Sequence, residues 1–354
     1  MFRSYLDEDS NYHKLDSLNV YSSLERLDRQ FDSAWNDAHF LNITFDPKKI
    51  KTIVFAGMGA SVLAGKMIHA LSPFFLKIPF EVCSNYRLPM YVNRKTLVIL
   101  SSYSGNTAEI ISCAQDAKKR GAKIICMTSG GQLEKFAKSE SLPLILFQNQ
   151  NTSSIPRMGL FYSIGATLSI IRRLSDHKQD LDQKQLSLII TRSLDHIRRE
   201  IELEKNPAKN LAQKMKHTSI FFISSNHLVG VGESIKNYVN ESAKSFSYHL
   251  AIPDLNHHFL DGLSFPLSYK NDTNFILINS NIYPSAIQKR VELTKDILLK
   301  QKYSVTVIKP ESTSPVGQIL ESMVFFTFFS YYLSIVNKVD PGTNPWVDYF
   351  KNHI

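Results

Sequence analysis

Cysteine is scarce in this sequence: only Cys83, Cys113 and Cys126 occur, and no two of them form a C-x-x-C pair. An odd number of cysteines argues against a disulfide framework, and their spacing does not suit a zinc site. Each lies in apolar or helical surroundings, which favours buried free thiols. Clusters of histidine, aspartate and glutamate at metal-ligand spacing are also missing, so the sequence predicts no metal and no other cofactor.

An apolar leader is missing as well. Residues Met1–Asp9 are polar and acidic, so we predict no signal peptide and a cytoplasmic protein. One segment, Ile319–Val336, is apolar enough to suggest a membrane span. It contains Glu321 and several hydroxyl side chains, and no second span accompanies it. A buried helix is therefore the preferred interpretation, and no membrane association is predicted.

Positive charge is not concentrated anywhere, although the formal net charge is +9 and the isoelectric point is near 9.2. The short basic clusters fall on predicted helix surfaces: Lys118–Arg120, Arg172–Arg173 and Arg198–Arg199. Solvated helix faces and attraction for a small anionic substrate account for this charge. We therefore predict no nucleic-acid partner.

The composition is that of a globular protein, with 43% hydrophobic and 21% charged residues in a chain of 354. That length accommodates two α/β domains of ordinary size. Short apolar runs alternate with segments at helical spacing, which predicts α/β domains with doubly wound parallel sheets and helices on both faces. The predicted strands are 52–56, 80–82, 96–101, 123–127, 144–147, 219–223, 274–278 and 304–308. The predicted helices are 22–42, 63–71, 108–120, 132–138, 163–174, 231–245, 285–300 and 319–336.

A polar stretch at 175–185 separates the two halves of this pattern. The expected organisation is a short helical N-terminal extension (1–48), a first domain (49–178) and a second domain in tandem (179–354).

The third predicted strand runs directly into a loop rich in hydroxyl groups, Ser102–Thr107, and a helix follows. Unpaired backbone N–H groups at a helix N-terminus favour an anion, and hydroxyl groups at 102, 104 and 107 add hydrogen bonds. Gly105 allows the backbone to approach a ligand closely. The alternative is a Ser/Thr-rich helix cap without a ligand.

The first predicted strand ends in a second loop, Gly57–Ser61. A dinucleotide fingerprint would need a third glycine where Val62 stands, and a P-loop fails because Met67 follows Gly65-Lys66. Both common nucleotide sites are excluded. The remaining interpretation is a second loop lining a pocket for a phosphorylated carbohydrate.

These loops, GMGAS at 57–61, SSYSGNTAE at 101–109 and TSGG at 128–131, resemble the sugar isomerase (SIS) domain. The resemblance implies that Ser102, Ser104 and Thr107 hold a sugar phosphate and that Gly59 and Ser61 line the sugar. The family usually has a glycine where Ala60 stands, a departure that narrows the expected pocket.

Nearly the whole chain after residue 50 resembles one SIS family, the bifunctional phosphoglucose/phosphomannose isomerases. Its motifs occur in the family's order: Pro156-Arg157, the N-E-x-A-K segment at 240–244, His257 sixteen residues after Glu241, and NPWVDYFK at 344–351. The resemblance implies interconversion of glucose 6-phosphate, and of mannose 6-phosphate, with fructose 6-phosphate through a cis-enediolate. It also implies a homodimer whose composite sites take His257 from the neighbouring subunit. The apolar segment 319–336, which is too apolar to be left in water, favours a subunit interface as well.

The resemblance assigns Glu241 as the base that moves a proton between carbons 1 and 2. His257 becomes the acid and base of ring opening, Lys351 its assistant, and Arg157 the group that stabilises the enediolate by its charge. Two alternatives stay open: Glu241 could pair with Lys244 on a helix surface, and His258 could replace His257.

Position 344 is a departure from the family, which commonly has a threonine before the C-terminal proline. Asn344 is bulkier and both donates and accepts hydrogen bonds, so we expect weaker or no activity on mannose 6-phosphate. The alternative is a shift of one residue, which would put Thr343 in the place of the family's threonine. The rival functions are a non-catalytic SIS protein that senses a sugar phosphate and an isomerising amidotransferase. Residues 1–48 look too short for the DNA-binding domain of the first, and no glutaminase domain precedes the SIS pattern.

Overall fold

The computed structural model describes residues 4–148, 150–175 and 180–353. The chain forms two compact units. The central unit is Arg26–Leu188, and the terminal unit combines Met1–Glu25 with Ile189–Ile354. The first 48 residues, expected as one helical extension, are thus divided between the units.

The bounds of the regular elements are as follows. The described strands are β1 (Thr52–Gly57), β2 (Phe80–Cys83), β3 (Thr96–Ser101), β4 (Lys123–Thr128), β5 (Leu144–Leu146), β6 (Ser219–Ser225), β7 (Ser247–Ile252), β8 (Thr273–Ile278) and β9 (Ser304–Ile308). The described α-helices are α1 (Asp9–Leu15), α2 (Val20–Leu24), α3 (Leu27–His39), α4 (Leu63–Phe75), α5 (Ala108–Lys119), α6 (Gly131–Ser139), α7 (Leu160–Leu174), α8 (Gln183–Asp195), α9 (Pro207–Lys214), α10 (Val229–Tyr238), α11 (Tyr269–Asp272), α12 (Ser285–Lys300), α13 (Pro315–Val336) and α14 (Pro345–Lys351).

The central unit contains a five-stranded parallel sheet in the order β2-β1-β3-β4-β5. Its inner strands are apolar runs buried on both faces, as parallel strands covered by helices must be. The strand order reverses between β1 and β3, where Gly57 pairs with Ser101. Ligands of open parallel sheets bind outside the carboxyl ends of the strands at such a point. The two predicted ligand loops leave from these neighbouring strand ends.

The terminal unit contains a four-stranded parallel sheet in the order β7-β6-β8-β9. The expectation of two tandem α/β domains with parallel sheets is therefore confirmed. The sequence analysis missed strand β7, because this edge strand buries the polar residues Ser247 and His249 and forms no apolar run. In the structure α10 ends at Tyr238 and continues as a π-helical turn, Val239–Ala243.

Helix α13 is the long apolar helix of the terminal unit. By length and composition it could cross a membrane, but 89% of its most apolar window is buried inside the protein. The expectation of a buried helix is confirmed. Since its apolar side chains are already covered, the helix supplies no argument for a subunit interface.

Residues Met1–Glu25 join the terminal unit through aromatic and charged contacts. The Lys209 ammonium is fully buried, lies 2.9 Å from Asp7 Oδ1 and faces the rings of Tyr12 and Tyr332. Burial lowers the pKa of Lys209, and hydrogen bonding to Asp7 opposes that shift. The Arg199 guanidinium lies 4.6 Å from the centre of the Tyr21 ring. The three cysteines are free and buried, as predicted.

Candidate functional site

The loop after β1 in the central unit is a short 3-10 helix, Gly59–Val62, which leads into α4. Gly59 is exposed and has a left-handed backbone, φ +55°. Ser61 is half-buried, and its Oγ accepts a hydrogen bond of 3.0 Å from the backbone N–H of Tyr103. The first loop is thereby fixed to the loop after β3.

The loop after β3 is held in shape by its own hydroxyl groups. Ser102 Oγ is 2.8 Å from Thr107 Oγ1 and accepts a hydrogen bond of 3.1 Å from the N–H of Gly105. Ser102 is completely buried, whereas Ser104 is exposed at the tip of the loop. Thr107 occupies the cap position of α5, but its side chain accepts no hydrogen bond from the helix. The Thr107 hydroxyl is bound to Ser102 within the loop, and its backbone carbonyl oxygen accepts from the N–H groups of Ile110 and Ile111.

Gly105 is the point of closest approach between this loop and the loop after β4. Its φ is +69°, and a Cβ atom there would lie 1.8 Å from the carbonyl oxygen of Gly130. No residue with a side chain fits without moving the backbone. The glycine lets the two loops lie against each other.

The loop after β4 completes a cradle of three loops. The Ser129 hydroxyl donates to the carbonyl oxygen of Tyr103 at 2.6 Å, and Asn106 Oδ1 accepts from the N–H of Gln132 at 3.1 Å. Three parallel strands thus deliver loops rich in hydroxyl and N–H groups to one edge of the sheet. Such an edge binds an anion through helix N-termini and neutral donors.

Arg157 lies in the same unit, in a 3-10 helix, Pro156–Gly159, that contacts the first loop. Arg157 is buried, with only 3% of its surface exposed. Asn151 anchors the preceding segment, because its Nδ2 donates to the Tyr103 hydroxyl and to the Ile155 carbonyl oxygen, each at 2.8 Å. Burial raises the pKa of Tyr103, and the hydrogen bond from Asn151 opposes that shift.

Glu241 lies in the terminal unit, on the π-helical turn that follows α10. π-Helical turns are rare in proteins, and those that do occur are often found at functional sites. The carboxylate accepts a hydrogen bond of 3.3 Å from Asn344 Nδ2. The structure therefore brings together two of the residues that the sequence singled out. The Lys244 ammonium donates to the backbone carbonyl oxygen of Glu241 at 2.6 Å.

The remaining candidates of the terminal unit are exposed. His257 ends a 3-10 helix, Asp254–His257, and the neighbouring His258 faces the Asp254 carboxylate at 3.3 Å. Lys351 is the last residue of α14. Within the described chain, neither His257 nor Lys351 forms a hydrogen bond to Glu241. Among the same residues, no group of three or more His, Cys, Asp and Glu could hold a metal ion.

The sequence analysis missed three residues that shape the central cradle: Tyr103, Ser129 and Asn151. Tyr103 and Ser129 lie inside the motifs SSYSGNTAE and TSGG, but the sequence analysis gave neither of them a role of its own. Asn151 lies 48 residues from the tyrosine that it binds, and only the folded chain brings the two together.

Comparison with known proteins covers both units. A model described as "SIS domain" matches residues 48–174, and one described as "Bacterial phospho-glucose isomerase C-terminal SIS domain" matches residues 204–354. A bifunctional phosphoglucose/phosphomannose isomerase from Caldicellulosiruptor bescii is 29% identical over 338 residues, covering 95% of this chain and 98% of the relative. One from Aquifex aeolicus is 28% identical over 91% of this chain and 94% of the relative.

The chain belongs to the bifunctional phosphoglucose/phosphomannose isomerase family.

The fold agrees with this membership of the isomerase family. The crystal structure of a hypothetical protein from Thermus thermophilus superposes with a TM-score of 0.76, at 14% identity, over 97% of this chain and 92% of that one. At such low identity the superposition shows the SIS fold alone.

The two matched regions of the isomerase family contain all the candidate residues. Gly59, Ser61, Ser102, Ser104, Thr107 and Arg157 fall in the SIS match, and Glu241, His257, Asn344 and Lys351 fall in the C-terminal match. The candidates therefore lie in the parts of the chain that carry the family resemblance.

Proposed function

We propose that this protein is a sugar-phosphate isomerase that interconverts glucose 6-phosphate and fructose 6-phosphate through a cis-enediolate, without a metal. The observation that carries the proposal is the three-loop cradle of the central unit, whose hydroxyl and N–H groups suit a phosphate monoester. Ser102, Ser104 and Thr107 hold the phosphate, and Gly59 and Ser61 line the sugar. Ser102 also holds the loop in shape through its contacts with Thr107 and Gly105.

The reaction needs three further groups. His257, assisted by Lys351, moves the proton that opens the sugar ring. Glu241 then takes the proton from carbon 2 and returns it to carbon 1, a task that suits a carboxylate because one group can accept and donate. Negative charge that develops on the enediolate oxygen is stabilised by the Arg157 guanidinium.

A coupled assay tests the proposal. Purified protein with glucose 6-phosphate and a chelator such as EDTA is expected to form fructose 6-phosphate at a rate proportional to enzyme concentration. The rival function, a non-catalytic sensor of sugar phosphates, predicts binding of the same compound by calorimetry without turnover. Turnover that disappears with chelator and returns with a divalent metal would contradict the metal-free mechanism.

The family resemblance also suggests a homodimer in which His257 acts in the site of the neighbouring subunit. The resemblance alone supports this proposal, because the apolar helix α13 is covered within its own unit. We expect the active species to have twice the chain mass in light scattering. A monomer that is fully active at micromolar concentration would contradict the shared site.

We expect Asn344 to limit the use of mannose 6-phosphate. Its amide contacts Glu241 at 3.3 Å, so it restricts the space beside the proposed base and offers a fixed hydrogen bond to one epimer. Asn344→Thr should raise the ratio of kcat/KM for mannose 6-phosphate to that for glucose 6-phosphate about tenfold, the effect of roughly one hydrogen bond. The matched control is Asn352→Thr, an exposed position at the end of α14. Equal efficiencies for the two epimers in the wild type would remove Asn344 from this role.

A further inference from the structure

Lys244 ends the π-helical turn that carries Glu241, and its backbone is left-handed with φ +52°. Residues other than glycine rarely adopt this conformation, and they keep it where contacts of the surrounding structure hold them in place. The side chain of Lys244 turns back over the turn and towards residues 340–343, which precede Asn344.

The Lys244 ammonium makes three short hydrogen bonds to backbone carbonyl oxygens. The acceptors are Glu241 at 2.6 Å, Asp340 at 2.8 Å and Thr343 at 2.5 Å. An ammonium group has three N–H donors and no acceptor. The three short contacts use this donor capacity, and a fourth carbonyl oxygen, that of Ser242, lies farther away at 3.5 Å.

These carbonyl groups need a cation for a physical reason. Carbonyl groups in the last turn of a helix have no partner within the helix and carry partial negative charge. Glu241 supplies such a carbonyl, and the loop before α14 supplies the other two. The ammonium lies between the three oxygen atoms at an exposed position and offsets their partial negative charge.

A second contact ties the same two segments. Asn337 Nδ2 donates to the Ala243 carbonyl oxygen at 3.1 Å and to Ser245 Oγ at 2.9 Å. Together with the hydrogen bond from Asn344 to the Glu241 carboxylate, these contacts attach the loop before α14 to the turn of the base at three places. The loop and the turn form one local assembly.

We propose that Lys244 is a positioning residue, whose ammonium fastens the turn of Glu241 to the loop of Asn344 and so sets the direction of the carboxylate. The proposal rests on the proposed role of Glu241 as the base. Lys244 itself does not touch the substrate. Its three short hydrogen bonds go to backbone carbonyl groups, so it orients the base through the backbone of the turn.

The geometry requires lysine and not only positive charge. A guanidinium is planar and presents its donors in a fixed fork, which suits carboxylates and phosphates but not three converging carbonyl groups. Lys244→Arg should therefore keep the positive charge but lose the position of Glu241.

The test compares Lys244→Arg and Lys244→Met with Lys236→Met. This control removes an ammonium from a partly buried ion pair with Glu233, both on α10. A base displaced by about 1 Å can lose roughly 100-fold in rate. We expect kcat to fall about tenfold in Lys244→Arg and about 100-fold in Lys244→Met. KM should stay within about twofold, because the phosphate loops belong to the other unit, and Lys236→Met should match the wild type.

The kinetic isotope effect separates positioning from loss of folded enzyme. With glucose 6-phosphate deuterated at carbon 2, the isotope effect on kcat should rise above the wild-type value in both Lys244 variants, because proton transfer becomes slower. A smaller fraction of folded enzyme lowers kcat but leaves the isotope effect unchanged. Unchanged kcat in both variants, or a lower kcat with an unchanged isotope effect, would overturn the proposal.

Hydrogen exchange keeps the outcome separate from that of the proposed function. If the wild type does not isomerise glucose 6-phosphate, the proposed function fails. The contact that Lys244 makes between the turn of Glu241 and the loop of Asn344 is then tested by backbone hydrogen exchange alone. Lys244→Arg should then speed exchange in both 239–245 and 337–344, with no change in Lys236→Met. Slow exchange in both segments of the variant would show that Lys244 fastens nothing.

Discussion

Glu241→Gln is expected to abolish isomerisation while leaving the binding of sugar phosphate intact. Glutamine keeps the size of the side chain and can still contact Asn344, but a carboxamide cannot take the proton from carbon 2. Positioned acid–base groups typically contribute about 10²–10⁴-fold to a rate. We therefore expect kcat to fall at least about 100-fold.

Calorimetry with glucose 6-phosphate measures binding in the inactive variant, and its Kd should stay within about threefold of the wild-type KM, since the phosphate contacts are unchanged. The control is Glu292→Gln, which alters an exposed glutamate on α12 paired only loosely with Lys295. Residual turnover above about one tenth of the wild-type rate would remove Glu241 from the role of base.

Removing the Ser104 and Thr107 hydroxyl groups together is expected to weaken binding far more than turnover. In the proposed function both groups bind the phosphate, which does not react. A hydrogen bond to a charged group contributes about 1.5–3 kcal/mol, so losing two should raise KM about 100-fold or more. Because such contacts are made equally in the ground state and transition state, kcat should change by less than about fivefold.

The matched control is Ser72→Ala with Ser139→Ala. Each of these hydroxyl groups donates to a carbonyl oxygen of its own helix, His69 and Phe136 respectively. The control should leave KM unchanged. A KM in the Ser104/Thr107 double variant equal to that of the wild type would refute the assignment of the phosphate loop.

The central unit could be predicted closely from sequence because its information is local. Strand β3 begins and ends where its apolar run does, and the hydroxyl-rich loop follows it directly in the chain. Parallel strands bring their carboxyl ends to one edge, so adjacency of the Gly57–Ser61 and Ser102–Thr107 loops followed from the fold class alone. In the terminal unit, strand β9 and helix α12 were predicted with their observed bounds.

The terminal unit was harder to predict because its contacts join distant parts of the chain. Asn344 meets Glu241 across 103 residues, and Lys244 meets Thr343 across 99. The sequence analysis left open a surface ion pair between Glu241 and Lys244. These two residues do contact each other, but the Lys244 ammonium donates to the backbone carbonyl oxygen of Glu241 at 2.6 Å. A helical pattern gives no sign of a π-helical turn. Strand β7 was missed because its buried side chains include polar ones, so it forms no apolar run.

The N-terminal segment shows a further limit of local patterns. Leu24, Leu27 and Phe31 follow helical spacing, and one helix was predicted across them. The structure ends α2 at Leu24 and begins α3 at Leu27, so the two helices belong to different units. The partner of each helix depends on tertiary burial, such as that of Tyr21 beside Arg199, which periodicity does not reveal.

The measurement that tests the central claim most directly follows the carbon-bound hydrogen during turnover. Glucose 6-phosphate deuterated at carbon 2 is converted by the wild-type protein in water with EDTA, and the fructose 6-phosphate is examined by NMR. Proton transfer through a base predicts product in which part of the deuterium at carbon 1 has been replaced by solvent hydrogen, and Glu241→Gln should form none of this product. Complete retention of deuterium at carbon 1 would indicate a direct hydride shift and contradict the account, as would the absence of any conversion.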